Sequence, residues 1–587
     1  MLSQWGNLPN LELAAGRQEG EYRNRLATDS DVYKWLEAVG YTLAQESDDD
    51  LMAMANQVIE TIVEAQEDDG YLMSFYQVVE PTKKWTQITT GHELYCAGHL
   101  FQAAMAYHAG TGDDRLLDVA CRLANHIAEI FGPGLRAATP GHPCIEMALI
   151  ELGRYTGEQK YIELAQFFLK QRGHVPLDRV EAWVFQNHAP IEKQTTMVGH
   201  AVRQMYLVAG VADLYLERGD STLLNTLNAQ WQDLVTGKLY LTGGVGQRHY
   251  RETFGQAYEL SSDRCYCESC AAIGSIMWNW RMLLATGEVR FADLMERTLY
   301  NALLAAVTLD GKHFFYVNPL LSRGEPEEGG DAFPHCRKPW HKTACCPPNI
   351  MRLLASLPHY LATTDGSGVQ IHQYAPCTMK VETPASGPVS LEIATQYPWN
   401  GDVTMTLTTE SESPWQLSLR VPSWCECFTI SINGMAVLAE SEGGYLRLRR
   451  SWRSGDEIRL QLEMKAEMIV ADPRVDATRG AVAIQHGPMV YCVESCDCPE
   501  HIELQDVFIG DEPRFETSWQ PELLGGVRVI EFDASQCSRE PWASGLYRPI
   551  HQSAGARRIG PVRLRAVPYA CWANRTPGQM RVWLPRQ

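Results

Sequence analysis

The sequence predicts a mainly helical (α/α)6 barrel as catalytic domain, followed by C-terminal β-sandwich domains. Three observations carry this. Up to about residue 366, apolar residues recur at helical spacing in about a dozen segments. Beyond it they alternate with polar residues, as half-buried strands require. No repeat of fixed period runs through the helical part, which sets aside a helical solenoid.

Asp29-Ser30-Asp31, placed before Val32-Tyr33-Lys34-Trp35-Leu36, offers an N-cap and a helix start. Periodicity predicts helices over 31–45, 50–66, 89–110, 113–130, 144–155, 158–171, 196–217, 220–235, 267–285, 290–306 and 348–362. Short breaks such as His108-Ala109-Gly110-Thr111-Gly112-Asp113 separate them. These eleven, with one more to be expected, form antiparallel pairs in which six inner helices surround a pocket. Strand patterns follow at Val369–Tyr374, Val403–Thr408, Leu417–Val421, Phe428–Ile432, Ile458–Leu462 and Val482–Ile484, with Asn433-Gly434 as a hairpin turn. The expected division is a barrel over 1–366, a β-sandwich over 367–466 completed by 560–587, and a second sandwich over 467–559.

The chain has 587 residues, 45% of them hydrophobic and 21% charged, as in ordinary soluble proteins of several domains. A net charge of −20 argues against nucleic acid and against anionic membrane surfaces, which need clustered Lys and Arg. No run of about 18 apolar residues exists, so no membrane span is expected. The start, Met1-Leu2-Ser3-Gln4-Trp5-Gly6-Asn7, has neither a basic nor an apolar signal region, which predicts a cytoplasmic location. There, 17 cysteines are expected as thiols rather than as a disulfide framework.

Most of those thiols read as small buried hydrophobes. Two clusters differ: Cys265-Tyr266-Cys267-Glu268-Ser269-Cys270, and Cys345-Cys346 within Ala344–Asn349. Adjacent cysteines are poorly placed to bridge each other, but suit a soft metal ion or one reactive thiolate. Glu268, Cys270, Cys345 and Cys346 together would make a tetrahedral zinc set of one carboxylate and three sulfurs. Cys267 and Cys270 also have the spacing of a redox pair, without the βαβ context such pairs use.

His92, His99, His142 and His200 fall near predicted helix starts, where neutral imidazoles can hydrogen-bond sugar hydroxyls. Trp35, Tyr71, Trp183, Phe314, Phe315, Tyr316 and Trp340 could supply a sugar-binding wall, although most such residues are core. In the loop after Thr242-Gly243-Gly244-Val245-Gly246, Glu252 could enter a pocket as a general acid.

Several phrases occur in a fixed order: Asp31–Glu37, Ala65-Gln66 with Asp69–Leu72, Gly141-His142-Pro143, Gly199–Arg203, Glu268-x-Cys270-Ala271, Cys345-Cys346-Pro347-x-Asn349 and Gly487-Pro488-x-Val490-Tyr491-Cys492. Together they resemble glycoside hydrolase family 127, whose best-known members are bacterial β-L-arabinofuranosidases. The resemblance implies a retaining hydrolase that releases terminal β-linked L-arabinofuranose from small carbohydrate substrates, and often a homodimer. It implies zinc on Glu268, Cys270, Cys345 and Cys346, with Cys345 as nucleophile, Glu252 as acid/base and His92, His142, His200 and Tyr316 on the sugar. Other members act on other branched or acidic monosaccharides of plant polysaccharides, and Arg251 stands where relatives often have glycine before the acid. Two readings of other classes remain open: a barrel epimerase using histidines, and a non-catalytic carbohydrate-binding zinc protein.

Overall fold

The computed structural model describes residues 1–177, 180–324, 337–411, 413–499, 502–538, 546–549, 551 and 557–586. Its helical part runs α1 Asn7–Ala14, α2 Asp29–Leu43, α3 Asp49–Ala65, α4 Ser74–Val78, α5 Glu93–Thr111, α6 Arg115–Ile130 and α7 Ile145–Thr156. It continues with α8 Gln159–Gln171, α9 Ala201–Arg218, α10 Ser221–Gly237, α11 Ser269–Thr286, α12 Val289–Arg297 and α13 Cys346–Ser356. Helices α2, α5, α7, α9, α11 and α13 pack side by side, and α13 returns to α2, closing a ring of six.

Side-chain pattern explains which helices are inside. Helix α6 buries one stripe, Leu116, Val119, Ala120, Leu123, Ala124 and Ile127, and leaves its other face to water. Helix α5 is buried without interruption from Glu93 to Ala104, as a helix with neighbours on all sides must be. Small residues let the inner backbones approach. A Cβ added at Gly40 of α2 would lie 2.5 Å from backbone atoms of Ala106 and Tyr107, and one at Gly110 would lie 2.2 Å from the Gly40 carbonyl.

Each of the eleven predicted helices has its counterpart. Further helical segments are α1, which buries only Asn7, Asn10 and Leu11 and so shows little apolar period, and the single turn α4. Two predicted starts run too far upstream: α5 begins at Glu93 rather than 89, and α9 at Ala201 rather than 196. The residues between, ending in His92 and His200, are entry turns facing the cavity described below. Among the described residues no helix is long and apolar enough to cross a membrane.

The β-rich part begins with two facing sheets. One holds Ala362–Thr364, Gly368–Ile371, Trp415–Arg420, Ser441–Glu442 and Tyr445–Arg450. The other holds Cys377–Thr383, Gly387–Thr395, Asp402–Thr409, Phe428–Ile432, Met435–Ala436 and Glu457–Leu462. Their core includes Val369, Leu391, Met405, Trp415, Leu417, Ile458 and Leu460. Buried Arg420 ties this sandwich to the barrel, reaching Asp293 of α12 at 2.7 Å and also pairing with Glu296.

The expected return of 560–587 to this first sandwich does not occur. Arg557–Pro568 pairs with Val527–Ser538 and, through Tyr491 and Cys492, with Met489–Glu494. Gln579–Arg581 pairs with Glu494 and Val493, and Leu584 with Val482. The reason lies in the inward side chains: Val562, Leu564 and Ala566 share a core with Ile530, Phe532 and Ala534. The resulting ten-stranded sheet also takes in Leu321–Arg323 from the helical part, paired with Gln579–Arg581. Its other face packs on barrel loops through Tyr240, Cys265, Cys267 and Phe315, and Phe315 stacks on Trp572 at 4.9 Å between ring centroids. The C-terminal sheet thus holds the segments that carry Glu268 and Tyr316.

Candidate active site

A cavity of about 770 Å³ opens where the inner helices begin. His92 precedes α5, His200 precedes α9, Glu268 precedes α11 and Cys345 precedes α13, each as the residue capping its helix. His142 lies just ahead of α7, and Asp31 in the first turn of α2. Six helix N-termini therefore face one space. Their unpaired N–H groups and partial positive charge favour anions there and lower the pKa of a nearby thiol.

Four acids meet at the base. Cys270 Sγ is 3.5 Å from Cys346 Sγ, and Cys345 Sγ is 3.9 Å from Cys346 Sγ. Glu268 Oε1 lies 3.6 Å from Cys345 Sγ and 3.5 Å from Cys346 Sγ. The second oxygen, Oε2, is buried without a partner. A tetrahedral zinc with ordinary Zn–S and Zn–O bonds has ligand-to-ligand edges of about 3.5–3.8 Å; the four spacings above run from 3.5 to 3.9 Å, and all four ligand atoms lie within 4.8 Å of one another. They are too long for a disulfide, whose sulfurs lie about 2.05 Å apart. The donor set and its spacing thus fit a zinc ion.

Electrostatics agree. Burial pushes Glu268 and Cys270 well above their ordinary values, and Cys346 likewise. Cys345 goes the other way, well below a normal thiol, because Cys270 and Cys346 donate hydrogen bonds to it and the Lys34 charge adds to them. Lys34 is itself buried. Burial opposes its charge, yet Asp31, followed by Cys345 and Cys270, holds it above its usual value. Tyr316 hydroxyl stands 3.4 Å from Cys345 Sγ.

Glu252 lines the same cavity from a single turn of 3-10 helix, Tyr250–Glu252. Its Oε2 lies 2.6 Å from His200 Nε2. Burial raises the Glu252 carboxyl, but the hydrogen bond and charge of His200 outweigh it and hold the group below its ordinary value; Tyr266 adds a further hydrogen bond. His92 Nδ1 is bonded to the Thr90 carbonyl at 2.7 Å, and His142 Nδ1 to the Pro143 carbonyl at 2.8 Å. Donation from Nδ1 leaves Nε2 of each neutral ring as an acceptor. Burial, reinforced by Arg203, pushes His92 down to about 4 and His142 well below its usual value.

The structure therefore gathers Cys345, Cys346, Cys270, Glu268, Glu252, His92, His142, His200 and Tyr316 around one space. His99 is instead fully buried inside α5, against Tyr95 at 4.6 Å. Of the aromatic candidates only Tyr316 and Trp340 line the cavity, while Tyr71, Phe314 and Phe315 are core. Sequence reading did not single out Lys34, Tyr95, Arg203, Tyr206 or Tyr266. For Tyr95, Arg203 and Tyr206 the available signal was their place within two helical turns of His92 or His200.

Comparison with known proteins agrees with this arrangement. Residues 3–359 match the profile described as β-L-arabinofuranosidase, GH127 catalytic domain; residues 368–464 match the GH127 middle domain and 466–585 the family's C-terminal domain. A protein of Bifidobacterium longum subsp. longum, described as a non-reducing end β-L-arabinofuranosidase, is 34% identical over 98% of this chain and 92% of its own. The crystal structure of a GH127 β-L-arabinofuranosidase from Geobacillus stearothermophilus T6 superposes with a TM-score of 0.94 at 38% identity, covering 99% of this chain and 94% of that one. A second GH127 β-arabinofuranosidase structure gives 0.91 at 33% identity, covering 100% and 92%. The chain is thus a glycosidase, and it belongs to glycoside hydrolase family 127.

Proposed function

We propose that this enzyme releases terminal β-linked L-arabinofuranose from small glycosides with retained configuration, and that Cys345 is its nucleophile. The sugar is inferred from the relatives. The observation that carries the chemistry is geometric: Cys345, at the head of α13 with its Sγ 3.4 Å from the Tyr316 hydroxyl, lines the same cavity as the Glu252 carboxylate.

Retaining glycosidases usually pair two carboxylates; here a thiolate takes the nucleophile's place. Cys345 Sγ attacks the anomeric carbon as the glycosidic C–O bond breaks, and Glu252 gives its proton to the departing oxygen. Glu252 then takes a proton from water, which attacks the same carbon, and sulfur leaves as thiolate. Two inversions give net retention. Glu268, Cys270, Cys345 and Cys346 would hold a zinc ion, whose positive charge would favour the deprotonated form of the sulfur. His92 and His142 accept hydrogen bonds from sugar hydroxyls through Nε2, and Tyr316 donates to Cys345.

The state of Glu252 follows from its neighbours. In the free protein His200 holds it low. A sugar that takes the His200 donor removes that influence and leaves burial and the Cys345 charge, both of which raise the carboxyl toward a usable acid. A thiol nucleophile must stay reduced, so the reading goes with a reducing compartment such as the cytoplasm.

The test is the fate of 4-nitrophenyl β-L-arabinofuranoside. Proton NMR should show β-L-arabinofuranose as the first product, and intact mass after a quench should show a pentosyl group on Cys345. An inverted first product, or the sugar on a carboxylate, would sink the nucleophile. Turnover of other aryl pentosides but not of this one would sink the sugar.

A further inference from the structure

The residue before the proposed acid stands in an uncomfortable backbone. Arg251 has φ +50°, and Glu252 follows at φ +58°. Glycine adopts this left-handed region freely, whereas a side chain is strained there. An arginine kept at such a position needs a compensating use of its side chain. The guanidinium is 44% exposed, 3.9 Å from Glu181, and lines the cavity. That approach to Glu181 is looser than a hydrogen bond.

Arg251 has cationic company. Arg25 and Lys342 are exposed and line the same cavity, and among the described residues neither has an ion pair. Deeper in, the Arg203 guanidinium lies over the Phe185 ring at 4.1 Å with a buried Nε that has no partner. The lining carboxylates are already engaged: Glu252 by His200, Asp31 by Lys34 and Asn7, and Glu268 by the thiols. In a chain of net charge −20 the cavity mouth is thus a local cationic patch.

Position assigns this patch a role. A general acid touches the leaving-group oxygen, so the residue joined to it lies on the leaving-group side. We infer that Arg251, with Arg25 and Lys342, selects substrates whose leaving group carries a carboxylate, such as a uronic acid residue. This rests on the proposed glycosidase reading and adds the charge of the aglycone to it.

The test uses two aryl β-L-arabinofuranosides that differ only in a ring carboxylate against the matching carboxamide. At about 20 mM salt the carboxylate should have a kcat/KM roughly three- to tenfold higher, the size expected of a few exposed ion pairs. At about 500 mM salt the advantage should shrink through screening. In Arg251→Gly, which relieves the backbone, and in Arg25→Gln/Arg251→Gly/Lys342→Gln, the carboxylate-to-carboxamide ratio should fall toward one. A ratio of one or less in the unaltered enzyme, with the carboxamide turned over, overturns the inference and leaves the glycosidase reading standing. So does a ratio that neither salt nor these substitutions change. Failure to cleave either furanoside overturns both, and is distinguishable by the absence of any turnover.

Discussion

Among the described residues, two groups of three or more side chains bring cysteine and carboxylate together within 4.8 Å: Glu268–Cys270–Cys345–Cys346 in the barrel, and Glu494–Cys496–Asp497 in the C-terminal sheet region. They differ in what balances their charge. At the second, Arg575 donates to Glu494 at 2.6 Å and to Asp497 at 2.5 and 2.9 Å, and Glu494 also accepts from the Ala573 N–H. Cys496 is exposed beside this closed network. At the first, among the described residues, no arginine hydrogen-bonds the cluster; one carboxylate oxygen has no partner, and helix N-termini and one buried lysine supply positive character. Residue type alone does not distinguish a metal site from an ion-pair network. Buried acids without a neighbouring arginine do, because ionising them requires a cation to offset the desolvation.

The largest effects should come from the barrel cluster and the acid facing it. Cys345→Ala should abolish turnover of aryl β-L-arabinofuranosides while circular dichroism shows the fold intact; a near-normal rate would remove the nucleophile assignment. Glu252→Ala should lower kcat/KM by roughly 10²–10⁴-fold. The loss should be smallest for the most acidic phenol leaving groups, which need least protonation. Cys270→Ala should lose the metal along with activity, and elemental analysis showing undiminished zinc would break the contrast between the two clusters.

A smaller effect tests the hydrogen bond between His200 and Glu252. His200 depresses the Glu252 carboxyl in the free protein, so His200→Ala should raise it. The profile of kcat/KM reports the free enzyme. Its alkaline limb, where Glu252 must still hold a proton, should move to higher pH, apart from any loss of sugar binding. An unmoved limb would mean that the 2.6 Å contact does not set the acid.

Legibility in the sequence followed the locality of each signal. The helices were readable because apolar period is local, and outer stripes such as Leu116 to Ile127 are plain. The base cluster was readable because its ligands come as two short pairs, each at the start of an inner helix. Helix α1 was not, since it buries mainly asparagine through hydrogen bonds: Asn7 to the Thr28 carbonyl and Asp31, Asn10 to the Arg23 carbonyl. Strand partners were not readable either, because alternation says which face is buried but not against which sheet; hence the misplaced 560–587. Lys34 shows the same limit within the site. In sequence it is one more charged residue on a helix, and only ring closure buries it near thiols from α11 and α13.

The smallest expected effect is a null one, and it bears directly on the opening contrast. Cys496→Ala removes the only sulfur of the second cluster but leaves Arg575 between Glu494 and Asp497. The Cys496 thiol, pushed up to about 11 by burial and by Glu494, stays protonated at neutral pH, so its loss removes no charge. An exposed substitution of this kind should change stability by no more than about 0.5 kcal/mol. Zinc per chain, measured on the same preparation as Cys270→Ala, should be unchanged. A fall in metal content on replacing Cys496 would mean that a cation displaces Arg575, and that charge compensation is the wrong criterion for telling the two clusters apart.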